Sequence, residues 1–223
     1  MTINKLAKKV LPEKIYKNIF LLRHLQKLAT RDGAYLVETG YIKSIKNFEP
    51  INKEGKPIPW MNYSFVDFLE PRLRKSMNIF EYGSGYSTLY LSDKVGSITS
   101  VEFDKSWFEK MEESLKDKGN CSIIFRDGRE QYIEAVKEFG DERFDIIIVD
   151  GRDRTECVKH IIPFLSDDGV IILDDSWKAK FDDVFEFFKE NGFKELSFTG
   201  LKPGGIIVDK TTVFYKKSNV LNI

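Results

Sequence analysis

Histidine and cysteine are nearly absent: the 223 residues hold two of each, His24, His160, Cys121 and Cys157. No Cys/His cluster among them has zinc spacing. No G-x-S-x-G stretch occurs, and no order of Ser, His and Asp marks a hydrolase triad. His24 falls on a basic helix and is expected in solvent; His160 falls on the helix after Asp150 and is expected at its surface. Cys121 opens an apolar run and Cys157 lies on a helical stretch. Both read as buried free thiols, which fits a reducing cytosol.

Excess charge is also missing. Lys+Arg and Asp+Glu both number 35, so net charge implies no nucleic-acid partner. The balance is uneven along the chain, however. Residues 1–31 carry eight Lys/Arg (Lys5, Lys8, Lys9, Lys14, Lys17, Arg23, Lys27, Arg31) against Glu13, a local +7 that leaves −7 for the remainder. No apolar run approaches the ~18 residues of a membrane span. The N-terminal stretch also lacks the unbroken apolar core of a signal peptide. A cytoplasmic location is expected.

What is present is a regular alternation. Residues 3–28 read as a helix interrupted or kinked at Pro12, with Ile15, Ile19, Leu22 and Leu25 on one face. Residues 30–61 are rich in turn formers, and loops of that length usually do something. Tyr63–Arg74 reads as a helix. From residue 77, strand candidates (Met77–Tyr82, Ser97–Glu102, Cys121–Arg126, Phe144–Asp150, Gly169–Asp174) alternate with helices (Ser87–Lys94, Lys105–Lys118, Glu130–Phe139, Thr155–Leu165, Ser176–Asn191). Runs such as DIIIVD and GVIILDD are apolar on both faces, as parallel strands covered by helices must be. Phe193–Phe198 and Thr211–Lys217, joined by the Gly200–Gly205 link, read as an antiparallel hairpin on the sheet edge. The expected fold is α/β: a doubly wound, Rossmann-like, mostly parallel seven-stranded sheet with helices on both faces. The expected division is a basic helix and cap segment over 1–61 and the α/β domain over 62–223.

In such sheets ligands bind beyond the carboxyl ends of the strands. Acids stand at all five: Glu81, Glu102, Asp127, Asp150, and the pair Asp174 and Asp175. One such acid is as readily a helix cap; five are harder to explain so. The stretch FEYGSGYSTLYLS places Gly83 and Gly85 after Glu81. Thr88 stands where a dinucleotide fingerprint has its third glycine, and no Walker Lys-Ser/Thr follows. An acid-rich loop of this kind suits a ligand with an ammonium and a sulfonium and no phosphate. S-adenosylmethionine has both, and a ribose diol. Glu102 lies 19 residues after Gly83, the spacing at which an acid reaches ribose hydroxyls.

Glu81, Gly83, Gly85 and Ser87 resemble the first motif of class I S-adenosylmethionine-dependent methyltransferases. Glu102 in SVEFD, Asp127-Gly128 and FDIIIVDG match the later motifs in order, over roughly Trp60–Lys217. The resemblance implies that Gly83, Ser84 and Gly85 pass under the methionine part, with Ser87 at the family's last glycine position. Glu81 would hold the ammonium, Glu102 with Phe103 beside it the ribose, and Asp127 with Gly128 the adenine; Asp150 would also border the cofactor. A plain turn is the other reading of Asp127-Gly128. The run VDGRDRTECVKHIIPFLSDDGVIILDDSW is similar to small-molecule and sugar O-methyltransferases with Asp-Gly and Asp-Asp strand ends. Metal-dependent members would make Asp150, Asp174 and Asp175 ligands of Mg²⁺. Otherwise Asp174 caps the next helix and Asp175 is solvated.

Many sugar-modifying relatives carry an acid as candidate base where this chain has Arg152. A guanidinium stays protonated and cannot be a base, yet it can clamp a carboxylate or phosphate. Asp153 then either takes the base role or belongs to a salt-bridged helix start. Catalytic candidates are thus Asp150, Arg152 and Asp153. Trp60 and Tyr63 face the cofactor or acceptor, or pack their loop onto the domain. The basic N-terminal helix either docks on acidic surface of this chain or a second subunit, giving a homo-oligomer, or lies on an anionic membrane through residues 1–31. The expected activity is O-methylation of a small-molecule or sugar-like acceptor. Aminopropyl transfer from decarboxylated S-adenosylmethionine and a non-catalytic cofactor-binding module stay open.

Overall fold

The computed structural model describes residues 11–223. Five strands are mutually parallel: β1 (Asn78–Tyr82), β2 (Ser97–Glu102), β3 (Cys121–Phe125), β4 (Phe144–Val149) and β5 (Leu165–Leu173). β6 (Lys194–Gly200) and β7 (Asp209–Tyr215) form the expected hairpin, and β7 lies antiparallel to both β5 and β6. The sheet order is β3-β2-β1-β4-β5-β7-β6. Strand order reverses between β1 and β4, so a crevice opens beyond their carboxyl ends. Because β7 runs backward, its first residues lie at that same edge.

The apolar strands are explained by what covers them. Ile79, Ile98, Ile146, Ile148, Val170 and Ile172 point to one buried cluster; their neighbours Phe80, Val101, Ile147, Val149, Ile171 and Leu173 point to a second cluster on the other face. Each such side chain taken from water contributes about 1.5–3 kcal/mol before chain entropy is set against it.

The helices are α1 (Glu13–Thr30), α2 (Tyr35–Glu38), α3 (Tyr41–Asn47), α4 (Tyr63–Leu69), α5 (Tyr86–Ser92), α6 (Lys105–Leu115), α7 (Arg129–Ile133), α8 (Arg154–Ile161) and α9 (Asp182–Glu190). Asn62 caps α4 by accepting from Phe65 N at 3.0 Å. Asp104 caps α6 by accepting from Trp107 N at 2.9 Å. Three expectations shift. Residues 30–61 hold α2 and α3 and one bridge, Ile51 to Pro57, and their Tyr41, Ile58 and Met61 join the sheet core. The helix expected from Ser176 starts at Asp182, after a turn and a short 3-10 segment at Ala179–Phe181. Cys157 is buried, but Cys121 is only half-buried.

α1 departs most. Pro12 stands immediately before it, in keeping with the interruption expected there, and Lys5, Lys8 and Lys9 of the expected basic helix lie outside the described residues. No residue of α1 is buried, and Leu22 is 65 % exposed. The expected docking on this chain's own surface is therefore not made by the described helix. No described helix is long and apolar enough to cross a membrane.

Candidate active site

The glycine loop sits at the crevice, and its two glycines do different jobs. Gly83 has φ +91°, and a Cβ there would come 2.9 Å from both Gly151 Cα and Gly151 N. Gly151 in turn has Tyr132 Oη where its own Cβ would stand, 1.8 Å away. Gly83 thus serves close contact between two backbones, the ends of β1 and β4. Gly85 is extended, and its nearest neighbour is the Trp107 ring at 3.9 Å. It keeps open the floor of a cavity of about 580 Å³ bordered by Gly83–Ser87, Glu102–Asp104, Trp107, Asp150–Arg152 and Trp60.

Glu81 lies beneath the loop, fully buried. It accepts hydrogen bonds from Ser87 Oγ (2.5 Å), Thr88 Oγ1 (2.5 Å) and Ser100 Oγ (2.8 Å). Burial pushes its carboxyl up, outweighing the downward pull of the three hydroxyls. Glu81 is outside the cavity lining; it ties the first turn of α5 to β1 and β2. Ser87 borders the cavity and spends its hydroxyl on Glu81.

Glu102 does face the cavity. Its Oε1 accepts from Phe103 N (2.8 Å) and Asp104 N (2.9 Å), and its Oε2 from Ser84 N and Ser84 Oγ, both at 3.0 Å. A carboxylate offers about four acceptor positions, so all are taken. Trp107 closes this side, its Nε1 donating to Ser84 O at 2.7 Å. Asp127 is exposed, and Gly128 packs under the Gln131 side chain; neither borders the cavity.

On the opposite wall, Asp150 pairs with Arg154 Nη2 at 2.9 Å. Burial pushes its carboxyl up to about 6 against the pull of Arg154. Arg154 also donates to the carbonyls of Gly151 (2.9 Å), Asp150 (2.8 Å) and Asp174 (2.5 Å), stapling the ends of β4 and β5. The Arg152 guanidinium lies 4.8 Å above the Phe103 ring. Asp153 accepts from Arg152 (2.9 Å) and from Arg129 (3.0 Å), and these partners hold its carboxyl below its usual range. It is salt-bridged as one of the two sequence readings had it, though its side chain caps nothing. A carboxylate so engaged is a poor proton acceptor.

The expected metal set does not assemble. Asp150 is engaged by Arg154, and Asp175 by Lys178 (2.5 Å) and Lys202 (3.0 Å). Burial would raise the Asp175 carboxyl, but those two lysines hold it well down. Asp174 caps no helix. It accepts from Thr211 Oγ1 at 2.6 Å, and burial together with Asp150 pushes it up to about 8. The acid grouped with Asp174 and Asp175 is Asp209, at the start of β7. A catalytic Mg²⁺ shared by Asp150, Asp174 and Asp175 does not fit these partners.

Trp60 borders the cavity and donates from Nε1 to Pro203 O at 2.8 Å; Tyr63 is buried in the core. The two readings weighed for this pair thus divide between them. Sequence reasoning missed Trp107, Arg154, Lys202 and Asp209. Trp107 had a signal, an aromatic in the first turn after a ribose-directed acid. Asp209 had none, since an acid opening a strand sits at the site only when that strand runs backward.

Residues 80–176 match the family model described as a methyltransferase domain. No curated protein sequence matches the chain. An rRNA methylase from Streptococcus thermophilus is similar at 16 % identity and TM-score 0.53, over 68 % of this chain and 93 % of that one. A precorrin-6y C5,15-methyltransferase from Geobacter metallireducens is similar at 15 % and 0.54, over 69 % and 87 %. Fibrillarin from Aeropyrum pernix, a structure holding natively bound S-adenosyl-L-methionine, is similar at 17 % and 0.52, over 65 % and 68 %. The fold is that of class I S-adenosylmethionine-dependent methyltransferases, and residues 80–176 are a methyltransferase domain on it.

Proposed function

From a methyltransferase domain on this fold, we propose that the chain transfers the methyl group of S-adenosylmethionine to an oxygen of a small-molecule or sugar-like acceptor. One observation carries this: the glycine loop, Glu102 and Asp150 border a single cavity of about 580 Å³, a size suited to small ligands. The Gly83–Gly85 backbone underlies the methionyl part, and Glu102 takes the ribose diol. Of the four donors on Glu102, only the Ser84 hydroxyl can rotate away. A ribose hydroxyl takes that place. Phe103 and Trp107 supply apolar walls.

The cofactor supplies a methylsulfonium, an electrophile that leaves as a neutral thioether. The chain has then to place the acceptor oxygen in line, exclude water and receive one proton. Asp150 faces the cavity and is the base: with its carboxyl pushed up to about 6, it is ionised yet basic at neutral pH. Arg154 fixes its orientation. A hollow of about 340 Å³ adjoins the cavity through Gly151 and Arg152, and Arg129, Lys178 and Lys180 border it. That positive wall favours an acceptor carrying a carboxylate or phosphate. Isothermal calorimetry with S-adenosylhomocysteine tests the cofactor reading. Wild type should bind, and Glu102→Ala should lose most of the affinity. Absence of binding, or equal binding by both, sinks it.

A further inference from the structure

α1 is the longest described helix, at 18 residues, and none of them is buried. Ile15, Leu21, Leu22, Leu25 and Leu28 are each between 41 % and 65 % exposed. The element α1 packs against is α2, which follows it in the chain. A helix of this length is marginal in water and gains its stability by covering an apolar face. α1 has such a face. At about 100° per residue, Ile15, Ile19, Leu21, Leu22, Leu25 and Leu28 fall within one half of its circumference, and Lys17, Arg23 and Lys27 fall in the other. Phe20 lies on the basic half, stacked on the His24 ring with 3.9 Å between centroids.

We propose that α1 lies flat on an anionic lipid surface, with its apolar half at the acyl boundary and its basic residues among the headgroups. Residues 11–31 carry Lys14, Lys17, Arg23, Lys27 and Arg31 against Glu13 alone, and Lys5, Lys8 and Lys9 precede them in the sequence. Glu13 is itself paired with Lys17 at 2.7 Å. Excess positive charge beside exposed leucines is what an interfacial helix needs: the leucines enter the acyl boundary and the basic residues meet anionic headgroups. Lys14 falls in the apolar half, but in the first turn, where its long stem reaches the headgroups. A second copy of the chain fits less well. A symmetric dimer through this helix sets five basic residues against the same five. The apolar residues also spread over half the circumference, wider than the seam that joins two helices. α1 borders no part of the glycine-loop cavity, so the lipid contact does not rest on the methyltransferase reading.

The test is flotation of the full chain with vesicles of phosphatidylcholine, alone or mixed with phosphatidylserine. Wild type should float with the mixed vesicles, stay behind with phosphatidylcholine alone, and be released by salt. Lys27→Gln should weaken partition about fivefold. Leu22→Ser combined with Leu25→Ser should lose it. None of these side chains is buried, so the thermal midpoint of each variant should match wild type. Sedimentation velocity tests the second copy. An oligomer dispersed by the two leucine substitutions overturns the proposal in favour of self-association, and a fall in their midpoint does so in favour of docking on the chain itself. No flotation of wild type overturns it too, as does equal flotation with phosphatidylcholine alone or flotation that the two leucine substitutions leave unchanged.

Discussion

Replacing Gly151 by alanine tests the backbone contact on which the glycine loop rests. The added methyl would stand 1.8 Å from Tyr132 Oη and 3.1 Å from both Tyr132 Cζ and Gly83 N. The tyrosine has no room to retreat. It is fully buried and packs edge-on against Tyr82 (5.5 Å between centroids) and Phe103 (5.7 Å). Overpacking in a close-packed core costs roughly 1–3 kcal/mol. This overlap exceeds an ångström, so Gly151→Ala should cost about 3 kcal/mol. Tyr132→Phe removes the obstructing oxygen. That hydroxyl makes no well-formed hydrogen bond, so the single change should stay within about 1 kcal/mol of wild type. With the oxygen gone, the remaining neighbours at 3.1 Å need give only a few tenths of an ångström. Gly151→Ala should then cost about 1 kcal/mol, a coupling of about 2 kcal/mol. Urea unfolding of the four proteins at neutral pH measures it, provided the m-values agree. An equal cost of Gly151→Ala in both backgrounds would refute the reasoning. S-adenosylhomocysteine affinity offers a second readout. It should fall in Gly151→Ala, whose methyl stands 3.1 Å from Gly83 N, and recover in part in the double variant, where the methyl can shift away from Gly83 into the space the oxygen leaves.

Other expectations follow from the same geometry. Gly83→Ala, at φ +91° and 2.9 Å from Gly151, should lose about 2 kcal/mol of stability. Gly85→Ala, with nothing closer than 3.9 Å, should stay within about 0.5 kcal/mol while weakening S-adenosylhomocysteine binding; thermal shift and calorimetry separate the two. Ser84→Ala leaves Glu102 Oε2 one acceptor position open, so calorimetry should show affinity equal to wild type or tighter. Once an acceptor is found, kcat/KM should rise with pH through about 6, because Asp150 accepts a proton only when ionised. Asp150→Asn should abolish that limb, and an unchanged pH profile would remove Asp150 as base.

Much of the fold was written in residue order. DIIIVD and GVIILDD, apolar at both parities, need covered strands, and five strand candidates alternating with helical stretches define a parallel sheet. Glu102 was legible because its place after β2 fixes both its edge and its depth. Glu81 was legible as an acid at a strand end, but its orientation was not: three hydroxyls from α5 and β2 turn it beneath the loop. Asp127 obeyed the same strand-end rule, yet β3 is an edge strand and its end lies outside the cavity lining. Asp209 and Lys202 were illegible because they reach the site through the reversed direction of β7. The start of α9 was read too early because KAKF carries helix-forming residues whose backbone is first held in a turn and a 3-10 segment.

The hydrogen-bond relay from Asn62 Nδ2 to Thr211 Oγ1 (3.0 Å) and on to Asp174 (2.6 Å) has a kinetic meaning. Its first two members are 149 positions apart, so it closes one of the longest loops in the molecule. A chain leaving the ribosome can lay down β1 to β5 while Thr211 is still unmade, with Asp174 lacking that donor. The last hairpin must then slide between β5 and solvent and satisfy Asn62 and Asp174 together. Contacts of such sequence separation are slow to form, so closure of this relay is expected to lag the parallel strands that precede it.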